Sequence, residues 1–305
     1  MKPFYLIIIF FCWALQQSWA QRRSFYFTTS DSVRLYVEVV GKGQPCVFVH
    51  GGPGSTSHYL QATGAAPLLE EKLEMIYYDQ RGSGRSASPA NHDYSLRRML
   101  QDLEEIRRYL GYNKWSVMGH SFAGTLVTPY AERFPQSVQR LLLVHCTLDL
   151  NASVLSHIRF GVQELQLADS AALLYGNAPL MERLGQVHDT LFKAKRWYKL
   201  MFRSQYEKDV NDTLDHAIVP FNRDFAQNVW NIADYFDDFT QRTPFIRCPV
   251  LVITGSRDYA IGPEQYLRFR FPHAKTVVYR GGHASFQEEP QWFTEQIFRF
   301  FKLQF

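Results

Sequence analysis

The chain has 305 residues, 46% hydrophobic and 20% charged, with a net charge of +4. That is the composition of a globular protein, long enough for one large domain or a core carrying an inserted unit, and it excludes a disordered chain. The arginine pairs at 22–23, 97–98 and 107–108 are scattered, so no basic stripe points to nucleic acid as a partner.

In chain order, Lys2 supplies a short positive region and Phe4–Leu15 an apolar run. Ser18, Trp19 and Ala20 then carry the small residues a signal peptidase reads. The run is short for a span of ~20 residues. Export with cleavage after Ala20 is therefore expected, to a periplasmic or secreted location, with no stable membrane insertion afterwards. Cys12 leaves with that segment. Cys46, Cys146 and Cys248 remain, an odd number without zinc-site spacing, and are expected to be free thiols packed as small hydrophobes.

Ser24–Thr28 and Arg34–Val40 alternate as half-buried strands. Continuous apolar runs at Cys46–Val49, Met75–Tyr78, Trp115–Met118, Leu141–Val144, Val250–Ile253 and Thr276–Val278 predict strands buried on both faces. Leu96, Leu100, Leu103, Ile106 and Leu110 recur at spacings of 4, 3, 3 and 4 before Gly111, the pattern of an amphipathic helix. Further helical patterns occupy Leu126–Phe134, Pro263–Arg270 and Gln291–Phe301. Strands alternating with helices predict an α/β fold with a mainly parallel, eight-stranded sheet flanked by helices. Between Thr147 and Thr243 the strands stop and the pattern is helical, with many aromatics, among them Trp197, Phe202, Phe225 and Tyr235. The expected organisation is a signal peptide (1–20), a core (21–146 and 244–305) and an inserted helical cap (147–243) placed to act as a lid.

Chemistry concentrates at strand ends. In "GHSFAG", Ser121 follows one strand and opens a helix, with Gly119 before it and Ala123 after it. Small neighbours permit the tight turn that exposes a nucleophilic hydroxyl, although Ala123 stands where a second glycine is usual. In "HGGPG", His50–Gly54, the glycines let backbone approach a substrate, so the Gly52 and Phe122 N–H groups are candidate oxyanion donors. Among the ten histidines, His283 in "GGHASF" satisfies the order Ser…Asp…His, and His145, at another strand end, is its competitor as base. His120 is expected to turn away from the serine. For the acid, Asp258 in "GSRDYAIGP" competes with Asp149. No metal-ligand spacing, Walker motif or dinucleotide motif is present, and no metal or organic cofactor is expected.

Together "HGGPG", "DQRGSGRS" (Asp79–Ser86), "GHSFAGT", "GSRDYAIGPE" and "GGHASFQEEP" resemble the α/β-hydrolase fold, and within it the prolyl iminopeptidase group of serine aminopeptidases. The resemblance runs from Arg34 to the C-terminus and weakens across the aromatic insertion. It implies Ser121 as nucleophile, Asp258 as acid, His283 as base, Gly52 and Phe122 as oxyanion donors, and Asp79, Arg81 and Gly82 as a structural buttress. It also implies an aminopeptidase acting on short peptides through an acyl-enzyme. In that group, cap glutamates grip the substrate's free amine. Here the cap offers Glu164, Glu182 and Glu207, with Asp224, Asp234, Asp237 and Asp238 as substitutes. None matches a transferable motif, so no substrate-binding residue is assigned. The alternative substrates are small apolar esters or lactones, and the alternative class is a non-catalytic ligand-binding protein.

Overall fold

The computed structural model describes residues 22–168, 170–215 and 217–304. The expected signal peptide lies outside the described residues. Eight strands form one sheet: β1 (Arg23–Thr28), β2 (Arg34–Gly41), β3 (Gln44–Val49), β4 (Leu73–Tyr78), β5 (Trp115–His120), β6 (Val138–Val144), β7 (Val250–Gly255) and β8 (Ala274–Tyr279). Their order is β1-β2-β4-β3-β5-β6-β7-β8. β2 pairs antiparallel with β1 and β4, and the remaining pairings are parallel.

Alternate residues of each central strand feed two cores, because successive side chains leave a strand on opposite faces. Val47, Val117, Leu141 and Val252 pack beneath the helices Leu96–Tyr109 and Gly124–Arg133. Phe48, Met118, Leu142 and Ile253 pack beneath Ala65–Lys72 and Pro290–Phe301. A sheet covered on both faces explains why these strands read as unbroken apolar runs. All three described cysteines are free thiols; Cys46 and Cys146 are buried and Cys248 is half-buried.

Two expectations fail. The β8 segment Thr276–Val278 is largely exposed rather than buried, because it forms the sheet's edge against β7 alone. The helix expected over Pro263–Arg270 shrinks to one turn, Gln265–Arg268. There the Gln265 side chain replaces further helical bonds. It accepts from Leu148 N–H (2.7 Å) and donates to Ile261 O (2.9 Å), tying the loop to the sheet rather than to its own helix.

Between β6 and β7 the described residues form helices and turns, with only an isolated bridge, Gly84 to Asn222, in extended pairing. Helices Leu150–Leu165 and Leu180–Lys193 share their own cluster of Ile158, Leu184, Val187 and Leu191. Gly161 is their crossing point, since a Cβ there would lie 2.1 Å from Val187 Cγ1. Later in the insertion, Phe225, Val229, Tyr235 and Phe239 join the core over the sheet. The turn Trp197–Leu200 and the two residues after it dock on strand-end loops: Tyr259 N–H donates to Leu200 O (3.1 Å) and His283 N–H to Met201 O (2.6 Å).

Candidate active site

Ser121 follows β5 directly with φ of 58°, a left-handed conformation that costs a non-glycine residue roughly 1–3 kcal/mol. The turn is tight enough to restrict its neighbours. A Cβ on Gly119 would come within 2.7 Å of Val127 Cγ2, and one on Gly124 within 2.2 Å of Thr147 O. The β3 loop lies against the same turn. A Cβ on Gly51 would sit 2.7 Å from Ser121 Cβ and 3.4 Å from Phe122 N. Gly52, at φ of 120°, lines the cavity beside the serine, and the Phe122 side chain is buried against Phe225 and Tyr235.

His283 comes from the loop after β8 and Asp258 from the loop after β7. His283 Nδ1 is 3.0 and 2.9 Å from the two Asp258 oxygens. An ionised carboxylate only accepts, so Nδ1 carries the proton. Nε2 is buried and has no hydrogen-bond partner among the described residues, and the ring lines the same cavity as Ser121. Asp258 is fully buried. Burial acts to raise its pKa, but the charge of His283 and hydrogen bonds from His145 and His283 hold it well below the usual carboxylate range.

The competing residues sit elsewhere. Asp149 caps the helix Leu150–Leu165, accepting from Ala152 N–H (3.0 Å), and pairs with Arg268 at 2.7 Å. His145 is fully buried behind the site, with Nδ1 3.0 Å from Asp258 Oδ2 and Nε2 2.8 Å from Ser285 Oγ. His120, expected to turn away from the serine, directs its ring nitrogens to Tyr59 and to His283 O. Its ring centre lies 4.7 Å from that of His283, and it lines the cavity. His120 Nε2 donates to His283 O (3.1 Å), so Nδ1 accepts the Tyr59 hydroxyl proton (2.7 Å), and Tyr59 Oη in turn accepts from Gly51 N–H (2.9 Å). Burial, then the neighbouring His283 and His145, push the His120 pKa well below its ordinary value and keep it neutral.

Beneath these loops, Asp79 Oδ1 accepts from Thr56 Oγ1 (2.8 Å) and Ser57 N–H (2.8 Å), and Oδ2 from Arg85 Nε (2.6 Å). Arg81 is fully buried and bonds Asp102 through Nε (2.6 Å) and Asp31 through Nη1 (2.9 Å). Gly82, with φ of 67°, passes Tyr94 so closely that a Cβ would meet its hydroxyl at 2.6 Å. Asp79 thereby ties Thr56 and Ser57, just past the glycine loop, to Arg85, and none of Asp79, Arg81 and Gly82 lines the cavity.

The cavity encloses about 240 Å³. The insertion between β6 and β7 contributes Trp197, Met201, Phe202, Asn211 and Asp212 to its wall. Asp212 lies on the helix Gln205–Asp215 and pairs with Lys208 one turn earlier. Sequence reasoning missed it, because a lone aspartate on a polar helix looks like any solvated residue.

The fold and the strand-end placement of these residues define an α/β-hydrolase. A profile described as "alpha/beta hydrolase fold" matches residues 44–290, and the chain belongs to that family. A proline iminopeptidase of Xylella fastidiosa (strain 9a5c) is 36% identical over 116 residues, spanning 37% of this chain and 36% of that protein, so the chain aligns with about a third of that relative's length. One from Lactobacillus helveticus (strain DPC 4571) is 24% identical over 83% of this chain and 89% of its own. Among solved structures, a proline iminopeptidase-related protein from Thermus thermophilus has a TM-score of 0.76 at 21% identity, covering 92% of this chain and 98% of its own. An enol-lactonase from Burkholderia xenovorans LB400 has a TM-score of 0.66 at 18% identity, covering 91% and 99%.

Proposed function

We propose that the chain is a serine hydrolase of proline iminopeptidase type, releasing N-terminal residues from short peptides. The observation that carries the hydrolase reading is the convergence of Ser121 and His283 on one cavity, with Asp258 behind the imidazole. In this reading Ser121 Oγ attacks the acyl carbon while His283 Nε2 takes its proton. The Gly52 and Phe122 N–H groups stabilise the oxyanion. His283 then protonates the leaving amine, and water resolves the acyl-enzyme by the same route. Asp258 remains ionised and stabilises the imidazolium.

The peptide reading is supported by Asp212, a carboxylate on the cap side of that cavity. A substrate ammonium needs such a partner once it leaves water. The second reading, a carboxylesterase or lactonase, is supported by the apolar remainder of the wall: Trp197, Met201, Phe202 and Phe286. The fold accommodates either chemistry.

Turnover of proline-, alanine- and leucine-arylamides against p-nitrophenyl esters separates the two. Arylamide turnover with proline preferred is the expected result; activity confined to esters rejects the peptidase assignment. Labelling by a fluorophosphonate is expected at Ser121, and a wild-type protein that stays unlabelled would reject hydrolysis in favour of a ligand-binding role. We also infer export. N-terminal sequencing of the mature protein is expected to begin at Gln21, and an intact N-terminus would reject it.

A further inference from the structure

His145 is a buried titratable group, in contact with Asp258, that the proposed mechanism leaves unused. It directly follows β6 at φ of 49°, and its backbone N–H donates to Ile253 O (2.7 Å), so its position is fixed by the sheet. Its ring reaches Asp258 Oδ2 at 3.0 Å, and Oδ2 also accepts from His283 Nδ1 at 2.9 Å. One carboxylate oxygen therefore serves two imidazoles, of which only His283 lines the cavity.

The protons in this chain can be assigned. Facing an ionised carboxylate, His145 Nδ1 must carry hydrogen. Burial lowers the pKa of His145, although its bond to Asp258 opposes that, so the ring is neutral and Nε2 is an acceptor. Ser285 Oγ, 2.8 Å away, then donates to Nε2. The chain runs from the Ser285 hydroxyl through His145 to Asp258, while His283 donates to the same carboxylate from the cavity side.

We propose that His145 is a positioning residue for the hydrolytic reaction, holding Asp258 in the orientation that serves His283 and drawing off part of its hydrogen-bonding capacity. The inference rests on the reading of Ser121, His283 and Asp258 as a triad. Without the His145 donor, the carboxylate gains freedom to rotate, and its charge acts on His283 alone. A fuller charge stabilises the protonated base, which must lose its proton before Ser121 can attack. The acid limb of the kcat/KM profile then moves to higher pH.

Other groups face this cluster from every side. His120 comes from β5, and Tyr279 from β8 lies 6.3 Å from His145 between ring centres. Tyr59 bonds His120, Cys146 follows His145, and the cap contributes His157, whose charge couples to His283 and Asp258. Burial raises the pKa of Tyr279 and of Cys146 and lowers that of His120 and His157, so none of the four changes charge near neutrality. Two carboxylates lie nearby: Asp212 on the cavity wall, and Glu288, which accepts from Tyr279 Oη (3.0 Å) and whose pKa burial raises. The profiles are therefore repeated in Asp212→Asn and Glu288→Gln backgrounds.

The test compares kcat/KM from about pH 5 to 9 for wild type, His145→Leu, His145→Asn and Ser285→Ala, with fluorophosphonate labelling of each. His145→Leu is expected to move the acid limb up by roughly half to one pH unit and to lower kcat by about tenfold or more. His145→Asn, whose side-chain amide can donate near the former Nδ1, is expected to restore most of both. Ser285→Ala is expected to shift the limb less, in the same direction. A His145→Leu limb superimposed on wild type, or an Asn variant as impaired as the Leu variant, overturns the proposal. If His145→Leu does not fold, Ser285→Ala decides: a shifted limb supports the role and an unmoved one overturns it. Wild-type protein that takes no label overturns the triad reading itself, whereas labelled wild type with unmoved limbs overturns only the role of His145.

Discussion

The strand-end loops and the cap both line one cavity, yet they are held by different forces. The loops carrying Gly52, Ser121, Asp258 and His283 end strands paired within one sheet, and buried ion pairs lie beneath them. Their freedom is small, as the left-handed Ser121 and the tight fits at Gly51 and Gly119 require. The cap's first helices have a separate core and reach the site through a few bonds, notably His283 N–H to Met201 O and His157 Nε2–H to Ala260 O (2.7 Å). A rigid half suits chemistry, which tolerates little displacement. The second half of the insertion belongs with the sheet, because Phe225, Tyr235 and Phe239 pack into the main core.

The largest effect expected on the rigid side is at Ser121. Ser121→Ala should lower kcat by about 10⁴-fold or more. Ser121→Gly should be as inactive but about 1 kcal/mol more stable, since glycine adopts this φ without the Cβ clash. Turnover and thermal melts check both, and near wild-type turnover by Ser121→Ala would place the nucleophile elsewhere. Next comes the buttress. Asp79→Ala leaves Arg85 and the glycine loop without their common acceptor and should cost about 3–5 kcal/mol in urea unfolding. A loss below about 1 kcal/mol would mean that the loop is held by packing alone.

On the cap side, His157 Nδ1 lies 3.0 Å from His188 Nε2, and acid should weaken that contact. Burial first, then His188, lowers the His157 pKa to about 4. An unfolded chain protonates this imidazole below about 6.5 while the fold keeps it neutral, so the unfolded state binds the extra proton and stability falls between those values. Between pH 7.5 and 5, wild type should lose about 2 kcal/mol more than His157→Asn. Parallel declines would show that His157 contributes nothing to the acid response. The smallest effect is at the cavity wall. Asp212→Asn should raise KM for free-amine arylamides about tenfold, near 1.4 kcal/mol, and leave p-nitrophenyl ester kinetics unchanged. Equal losses on both substrates would assign Asp212 to folding rather than amine recognition.

Most of the sheet was legible because burial on both faces writes itself as unbroken apolar runs, and Gly111 marked where the helix after Leu96 stops. Edge exposure of Thr276–Val278 was not legible, because a valine at a sheet edge reads like one in its centre. Gln265 hid the missing helix turns, since its partners at Leu148 and Ile261 are set by the folded loops. By itself the sequence determined the fold family and the chain order of Ser121, Asp258 and His283, because strand-end position and local turn chemistry are short-range properties. Only the tertiary structure decided which of two histidines faces the cavity, that His145 shares Asp258, and that Asp212 comes from the cap to the wall. Those facts depend on distances between residues far apart in the chain, which neither periodicity nor spacing encodes.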